Sequence, residues 1–246
     1  MKNLLIYISP IHLFDKESEV LIKVQIDNSL ELGWKIEDIV LVTNFPYEYM
    51  GIKAMVVSDE AYCSAWKLST KTSCINYLFE HNLIGDYIYW SHDLDAYQLE
   101  IITEEELELD KEVGFCDYGR NEHWQMGSFF FKNTAGSIFK DILLLVKEDR
   151  KDGKEQNDEN SLVILTNKNY NNINDRIKRM NGTYDFGMRR VELCYEKANK
   201  PLKVLHFHPW LESMNTLKIA MYGKNRIRKP LMNKRLIKLF QKYGIK

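Results

Sequence analysis

Two short patterns carry residue types that can do chemistry. Asp93-Leu94-Asp95 lies just downstream of Tyr87-Ile88-Tyr89-Trp90, a β-branched and aromatic run after Gly85 that reads as a buried strand. The pattern therefore sets two carboxylates just past a strand's carboxyl end, where open α/β sheets take their ligands. Hard oxygen ligands one residue apart can jointly hold Mn²⁺ or Mg²⁺, and the cation can in turn hold a diphosphate. A turn with two solvated aspartates has the same spelling, so the rest of the chain must decide. Near the other end, His206 and His208 share one face of an expected strand because side chains alternate with period two. One of these imidazoles can complete a mixed oxygen and nitrogen ligand set, whereas a hydrogen-bonded core histidine is the ordinary reading.

The elements that must position these groups follow an alternating order. Residues 4–8 read as a first strand, and residues 17–32 as a helix with apolar Val20, Leu21, Val24 and Leu32, stopped by Gly33. Residues 38–43 and 54–57 read as short strands, and 64–79 as the helix leading back to the strand before Asp93. Thr103-Glu104-Glu105-Glu106 has the form of a capping box opening a short solvated helix within the acidic stretch 100–112. Residues 113–116 and 126–131 read as strands, 134–147 and 157–166 as helices, 167–175 as an Asn-rich loop and 202–208 as a last strand closed by Pro209. Strands alternating with helices imply an α/β fold with a mostly parallel, Rossmann-like central sheet flanked by helices.

Length and composition bound the function. A chain of 246 residues with 45% hydrophobic content can bury a sizeable core, and a formal net charge of −1 gives no overall electrostatic drive toward nucleic acid. The four cysteines form no Cys-x-x-Cys pair, no segment reaches the length of a membrane span, and the expected location is the cytoplasm. Composition shifts at residue 218, after which Lys and Arg are frequent and Asp and Glu are absent. This divides the chain into a catalytic domain, residues 1–217, and a basic amphipathic helical tail, residues 218–246. The tail is suited either to a peripheral contact with an anionic membrane or to packing back on its own domain.

With these landmarks in order, the sequence resembles the GT-A-fold glycosyltransferases, and among them the retaining galactosyltransferase and glycogenin-like group. The Asp-x-Asp pair of that group is matched by Asp93 and Asp95, its basic residue on the preceding helix by Lys67, and its Asn-Ser-Gly strand loosely by Gln125-Met126-Gly127-Ser128. Its Asp-Gln-Asp-x-x-Asn segment compares with Glu155-Gln156-Asn157-Asp158-Glu159-Asn160, where Gln156 and Asn160 coincide. Its His-Phe stretch ending in Pro-Trp compares with His206-Phe207-His208-Pro209-Trp210.

The resemblance implies a metal-dependent transferase that moves a hexosyl or pentosyl group from a UDP- or GDP-sugar to a glycan or other hydroxyl acceptor. It implies Mn²⁺ or Mg²⁺ on Asp93, Asp95 and His206 or His208, the His-Phe match favouring His206. Asp93, Lys67 and Ser9, after the first strand, would serve the nucleotide. Tyr7 or Trp66 would stack on its base, and Arg189-Arg190 would counter phosphate or acceptor charge. Gln156 would lie beneath the anomeric carbon in a retaining mechanism, while an inverting one needs a carboxylate base, Asp158 or Asp117. Two other readings remain open: a metal-dependent phosphohydrolase, whose Asp-x-Asp usually follows the first strand, and a non-catalytic nucleotide-sugar-binding or membrane-docking protein.

Overall fold

The structure is a computed structural model that describes residues 1–117, 123–154, 156–188, 194–207, 218, 220–223 and 230–245. In chain order its elements are β1 (Lys2–Tyr7), α1 (Lys16–Glu31), β2 (Ile39–Thr43), β3 (Glu48–Tyr49), β4 (Ile52–Lys53), β5 (Met55–Val56), α2 (Thr70–Glu80), β6 (Tyr89–His92), β7 (Ala96–Gln98) and α3 (Glu104–Leu107). There follow β8 (Val113–Asp117), β9 (Trp124–Phe131), α4 (Gly136–Lys151), α5 (Asp158–Asn167), α6 (Ile173–Arg176), β10 (Ile177–Met180), β11 (Phe186–Gly187), β12 (Val204–His206) and a C-terminal helix, α7 (Lys234–Lys242). The main sheet runs β10-β8-β9-β6-β1-β2-β5, and every neighbouring pair is parallel except those made by β9. A small second sheet, β11-β12-β7, stands beyond the end of β6.

Strand alternation assigns each face its helices. Leu4, Ile6 and Val42 join Phe129, Phe131 and Phe139 in the core under α2, α4 and α5, while Leu5, Ile39 and Leu41 face α1 with Ile22 and Ile26. Phe129, Phe131 and Phe139 are fully buried, each contributing roughly 1.5–3 kcal/mol by removal from water. Helix α1 starts where Asp15 accepts the Ser18 amide. It stops at Gly33 (φ 89°) in a Schellman arrangement, with Trp34 N–H on the Ser29 carbonyl and Gly33 N–H on that of Leu30. The expected capping residue Thr103 accepts the Glu106 amide at 3.3 Å.

The structure departs from the sequence reading in four places. The helix expected over 64–79 begins only at Thr70, because Trp66 is extended and residues Lys67–Ser69 form a 3₁₀ turn. The Asn-rich loop contains a 3₁₀ turn and α6, with Asn169, Asn171 and Asn172 at positive φ, a region that asparagine tolerates. Directly after it, β10 adds a charged edge strand that the apolar pattern did not mark. The final strand is shorter than expected, Val204–His206, and His208, Pro209 and Trp210 lie outside the described residues.

The basic tail turns its apolar face inward. Leu236, Leu239 and Phe240 pack against Val24, Tyr97 and Phe207, leaving Lys234 and Lys238 outward. No helix among the described residues is long and apolar enough to cross a membrane, and the four cysteines are buried thiols.

A candidate metal centre

The turn after β6 is held from three sides. The Asp93 amide donates to the Gly127 carbonyl at 2.7 Å, and the Ala96 amide closes the turn on the Asp93 carbonyl at 3.0 Å. Helix α1 supplies the third side. Gln25 Nε2 donates to the carbonyls of Leu94 (3.1 Å) and Ala96 (2.6 Å), and Asn28 Nδ2 to that of Gln98 (3.0 Å). This explains why α1 buries polar side chains: backbone acceptors left free by the turn require donors. His92 lies beneath, its Nε2 2.9 Å from Asn3 Oδ1, and burial pushes its imidazole down to about 3, so it is neutral.

Pairing of β12 with β7 sets His206 opposite Ala96, and the Phe207 amide donates to the Asp95 carbonyl at 2.9 Å. His206 Nε2 consequently sits 3.4 Å from Asp95 Oδ1 and 3.6 Å from Asp93 Oδ2. One ligand atom from each of Asp93, Asp95 and His206 lies within 4.8 Å of the others. Such spacing lets a single ion reach all three, and two carboxylates with one imidazole fit a divalent cation. Burial alone would lower the imidazole's proton affinity, but Asp95 and Asp185 outweigh it and raise it well above the ordinary value. A proton on Nε2 therefore stands where a cation can bind.

A bulge in β9 organises the surroundings. Between Phe115↔Phe129 and Cys116↔Gln125 the strand carries three extra residues, Met126, Gly127 and Ser128. Three of their backbone groups take side chains. Met126 N–H donates to Glu159 Oε1 at 3.1 Å, Ser128 N–H to Asp185 Oδ2 at 2.9 Å, and the Met126 carbonyl accepts Lys71 Nζ. Lys71 also sits 2.5 Å from Asp93 Oδ1. Gly127 is required by proximity: a Cβ there would lie 2.1 Å from His206 Cε1 and 2.2 Å from Nδ1.

Burial pushes the Glu159 carboxyl up to about 7, its amide bond from Met126 opposing and Asp158 and Asp185 adding. Burial likewise raises Asp158, against Lys71 and the hydroxyl of Thr72, which donates to it at 2.9 Å.

The other sequence candidates fall as follows. Lys67 is exposed on its 3₁₀ turn, and Lys71, one helical turn later, is the cation at Asp93, because α2 starts later than the sequence suggests. Ser9 is buried and its backbone is pinned on both sides by Asn44, whose Oδ1 accepts the Ser9 amide and whose Nδ2 donates to the Ser9 carbonyl, both at 2.8 Å. Tyr7 stacks on Phe14 at 4.5 Å, and one face of Trp66 is covered by the Arg150 guanidinium at 3.8 Å. The Gln156 amide, just before α5, donates to Ser161 Oγ at 3.1 Å, and the Glu159 carboxylate reaches the Met126 amide of β9. Asp117 is ion-paired with Arg179 at 2.7 Å. His208, Arg189, Arg190 and Glu155 lie outside the described residues.

Lys71, Glu159 and Asp185 were missed by the sequence reading; the one sequence signal for their neighbourhood is a glycine inside the apolar run 126–131.

A cavity of about 490 Å³ opens beside the cluster, lined by Asp117, Gln125, Arg179, Asp185 and Lys197 among others. Gln125 Oε1 is buried there without a hydrogen-bond partner among the described residues.

No protein-family model matches this sequence, and no curated protein is similar to it. The fold does have solved counterparts. The chain is similar to an active-site mutant of LgtC, with 14% identity and a TM-score of 0.60 over 98% of this chain and 96% of that one. It is similar to the glycosyltransferase GlyE of Streptococcus pneumoniae TIGR4 (13%, 0.55, 99% of this chain and 64% of that one). A third is a glycosyltransferase involved in the glycosylation of the major capsid of PBCV-1 (12%, 0.51, 84% and 93%). At these identities the likeness is one of fold. The chain has the GT-A fold of these glycosyltransferases, a mostly parallel sheet flanked by helices, and carries an Asp-Asp-His cluster able to hold a metal ion.

Proposed function

We propose that this protein is a metal-dependent glycosyltransferase that moves a sugar from a nucleoside diphosphate donor, a UDP- or GDP-sugar, to a glycan or other hydroxyl acceptor. The observation that carries the reading is the Asp93, Asp95 and His206 cluster at the end of β6 with a cation, Lys71, against it. A bound Mn²⁺ or Mg²⁺ supplies Lewis-acid neutralisation of the leaving diphosphate. Asp93, Asp95 and His206 hold that ion, with His208 as a further candidate ligand, and Lys71 offers a second positive charge to the phosphates. The Ser9 loop, held by Asn44, is the nucleoside side of the site, and Lys67 is available at its rim.

On the reacting side, Glu159 and Asp158 are the carboxyl groups available to hold or move the acceptor's proton in an inverting mechanism, whereas in a retaining one Gln156 would lie beneath the anomeric carbon with its amide oxygen toward the positive charge. The cavity beside Asp117 and Gln125 is assigned to the acceptor, whose hydroxyls would give Gln125 Oε1 its missing donor. Residues 1–217 form the catalytic domain in this reading, and the outward charges Lys234 and Lys238 of the tail serve any peripheral contact with an anionic membrane. Liposome binding that falls with salt and with both lysines replaced by glutamate would report that contact.

The test is thermal stabilisation by UDP, GDP, dTDP and CDP, each with Mn²⁺ or with EDTA, in wild type and in Asp93→Asn/Asp95→Asn. A ligand that binds only the folded state raises its apparent stability by mass action. A metal-dependent shift with one nucleotide, absent from the double variant, supports the reading. Absence of any shift in wild type removes it.

A further inference from the structure

His206 has two nitrogens, and only one faces the cluster. Nε2 points to Asp93 and Asp95, while Nδ1 lies 3.0 Å from Oδ1 of Asp185, a carboxylate with no solvent exposure. Its other oxygen, Oδ2, accepts the Ser128 amide at 2.9 Å. A carboxyl group this deeply buried needs a partner for each oxygen, and each has one. The ring is also confined from the side. The Gly127 backbone presses on Cε1 and Nδ1 closely enough to leave no space for a Cβ, which would also fall 3.1 Å from Asp185 Oδ2. Asp185, the β9 bulge and the imidazole thus form one packed unit that turns Nε2 toward the two aspartates.

We propose that Asp185 is the positioning residue of the metal centre: it holds the Nδ1 proton of His206, so that Nε2 is presented as a ligand between Asp93 and Asp95. This rests on the metal-dependent reading above. Asp185 does not touch the ion; it acts through the imidazole, fixing tautomer and ring orientation and increasing ligand basicity.

The informative variant is Asp185→Asn. Ser128 N–H claims the amide oxygen, so the amide NH₂ must face Nδ1, which becomes the acceptor and sends the ring proton to Nε2. The side chain keeps its shape while His206 loses its ligand lone pair. The Mn²⁺ dissociation constant is measured without nucleotide, by the electron paramagnetic resonance signal of free Mn²⁺, for wild type, Asp185→Asn and Asp27→Asn. Asp27 is a buried carboxylate of α1 whose partners are Tyr49, Lys242 and Tyr243, none of them a member of the cluster.

The expected result is a 10–100-fold weaker Mn²⁺ affinity in Asp185→Asn, roughly the range for loss of such an outer partner, and no change in Asp27→Asn. Equal affinity in wild type and Asp185→Asn overturns the proposal while leaving the metal site standing. No Mn²⁺ binding by wild type overturns the metal-dependent reading itself, and this inference with it.

If Asp185→Asn does not fold, the wild-type protein labelled with ¹⁵N-histidine and loaded with diamagnetic Mg²⁺ decides. A protonated Nδ1 and an unprotonated Nε2 on His206 support the proposal, and the reverse pattern overturns it.

Discussion

Two clusters of this molecule bury carboxylates among polar partners, and they are built on opposite principles. At the tail, Asp27 accepts from Lys242 Nζ (2.6 Å) and lies within reach of the hydroxyls of Tyr49 (3.1 Å) and Tyr243 (2.8 Å), which meet each other at 2.6 Å. One cation balances one carboxylate, and the cluster ties α7 to α1. Around the end of β6, the five carboxyl groups of Asp93, Asp95, Asp158, Glu159 and Asp185 meet neutral donors together with two cationic partners, Lys71 and the His206 imidazole. Negative charge exceeds positive charge, which destabilises a fold unless a cation arrives. The balanced cluster ties two elements together, and under the proposed function the unbalanced one takes up a cation.

The largest test of this contrast is Asp95→Ala. Removing one carboxylate from the unbalanced cluster should abolish Mn²⁺-dependent nucleotide binding, a loss of more than about 100-fold, without lowering the unfolding midpoint. Isothermal titration and thermal unfolding read the two halves. Asp27→Ala should behave inversely, losing about 2 kcal/mol of stability to denaturant with Mn²⁺ affinity unchanged. A loss of stability in the first or of metal affinity in the second breaks the distinction.

Glu159 sharpens it through pH. Its folded-state value near 7 lies above the ordinary glutamate value, so between about 4.5 and 7 the folded protein binds more protons than the unfolded chain. The unfolding free energy therefore falls as pH rises through that window, by up to about 3 kcal/mol, and levels off above it. Glu159→Gln should flatten this dependence in urea titrations at successive pH values; an unchanged slope would mean that Glu159 does not titrate there. The smallest effect is expected for Lys71→Ala. It should weaken nucleoside diphosphate binding by roughly tenfold, about 1.4 kcal/mol, while leaving Mn²⁺ affinity equal or tighter because Asp93 is released. A parallel loss of both would reduce Lys71 to a structural counter-ion.

The sequence disclosed those parts of the fold and site that depend on neighbours along the chain. The strand before Asp93, the stop at Gly33, the cap at Thr103 and the helix opening near Asn157 all follow from local period and capping chemistry. His206 was found by its place in a His-Phe stretch. What escaped depends on distant segments meeting. Lys71 meets Asp93 from the first turn of α2, which starts late after an extended Trp66 and a 3₁₀ turn, an arrangement that no periodicity records. Asp185 and Glu159 matter only because the β9 bulge turns two amides toward them. Gln25, Asn28 and Ser29 are polar by type yet buried; Gln25 and Asn28 donate to the turn and to β7, and the Ser29 hydroxyl meets Asn3.

Gly127 has a meaning for how this sequence can drift. It offers no side chain and would pass unnoticed in any inventory of reactive groups, yet an added methyl would collide with the imidazole of the Asp-Asp-His cluster. The aspartates could in principle be exchanged for other oxygen donors. Position 127 has no such substitute, so the least chemically endowed residue of the site is the one with the fewest permitted alternatives.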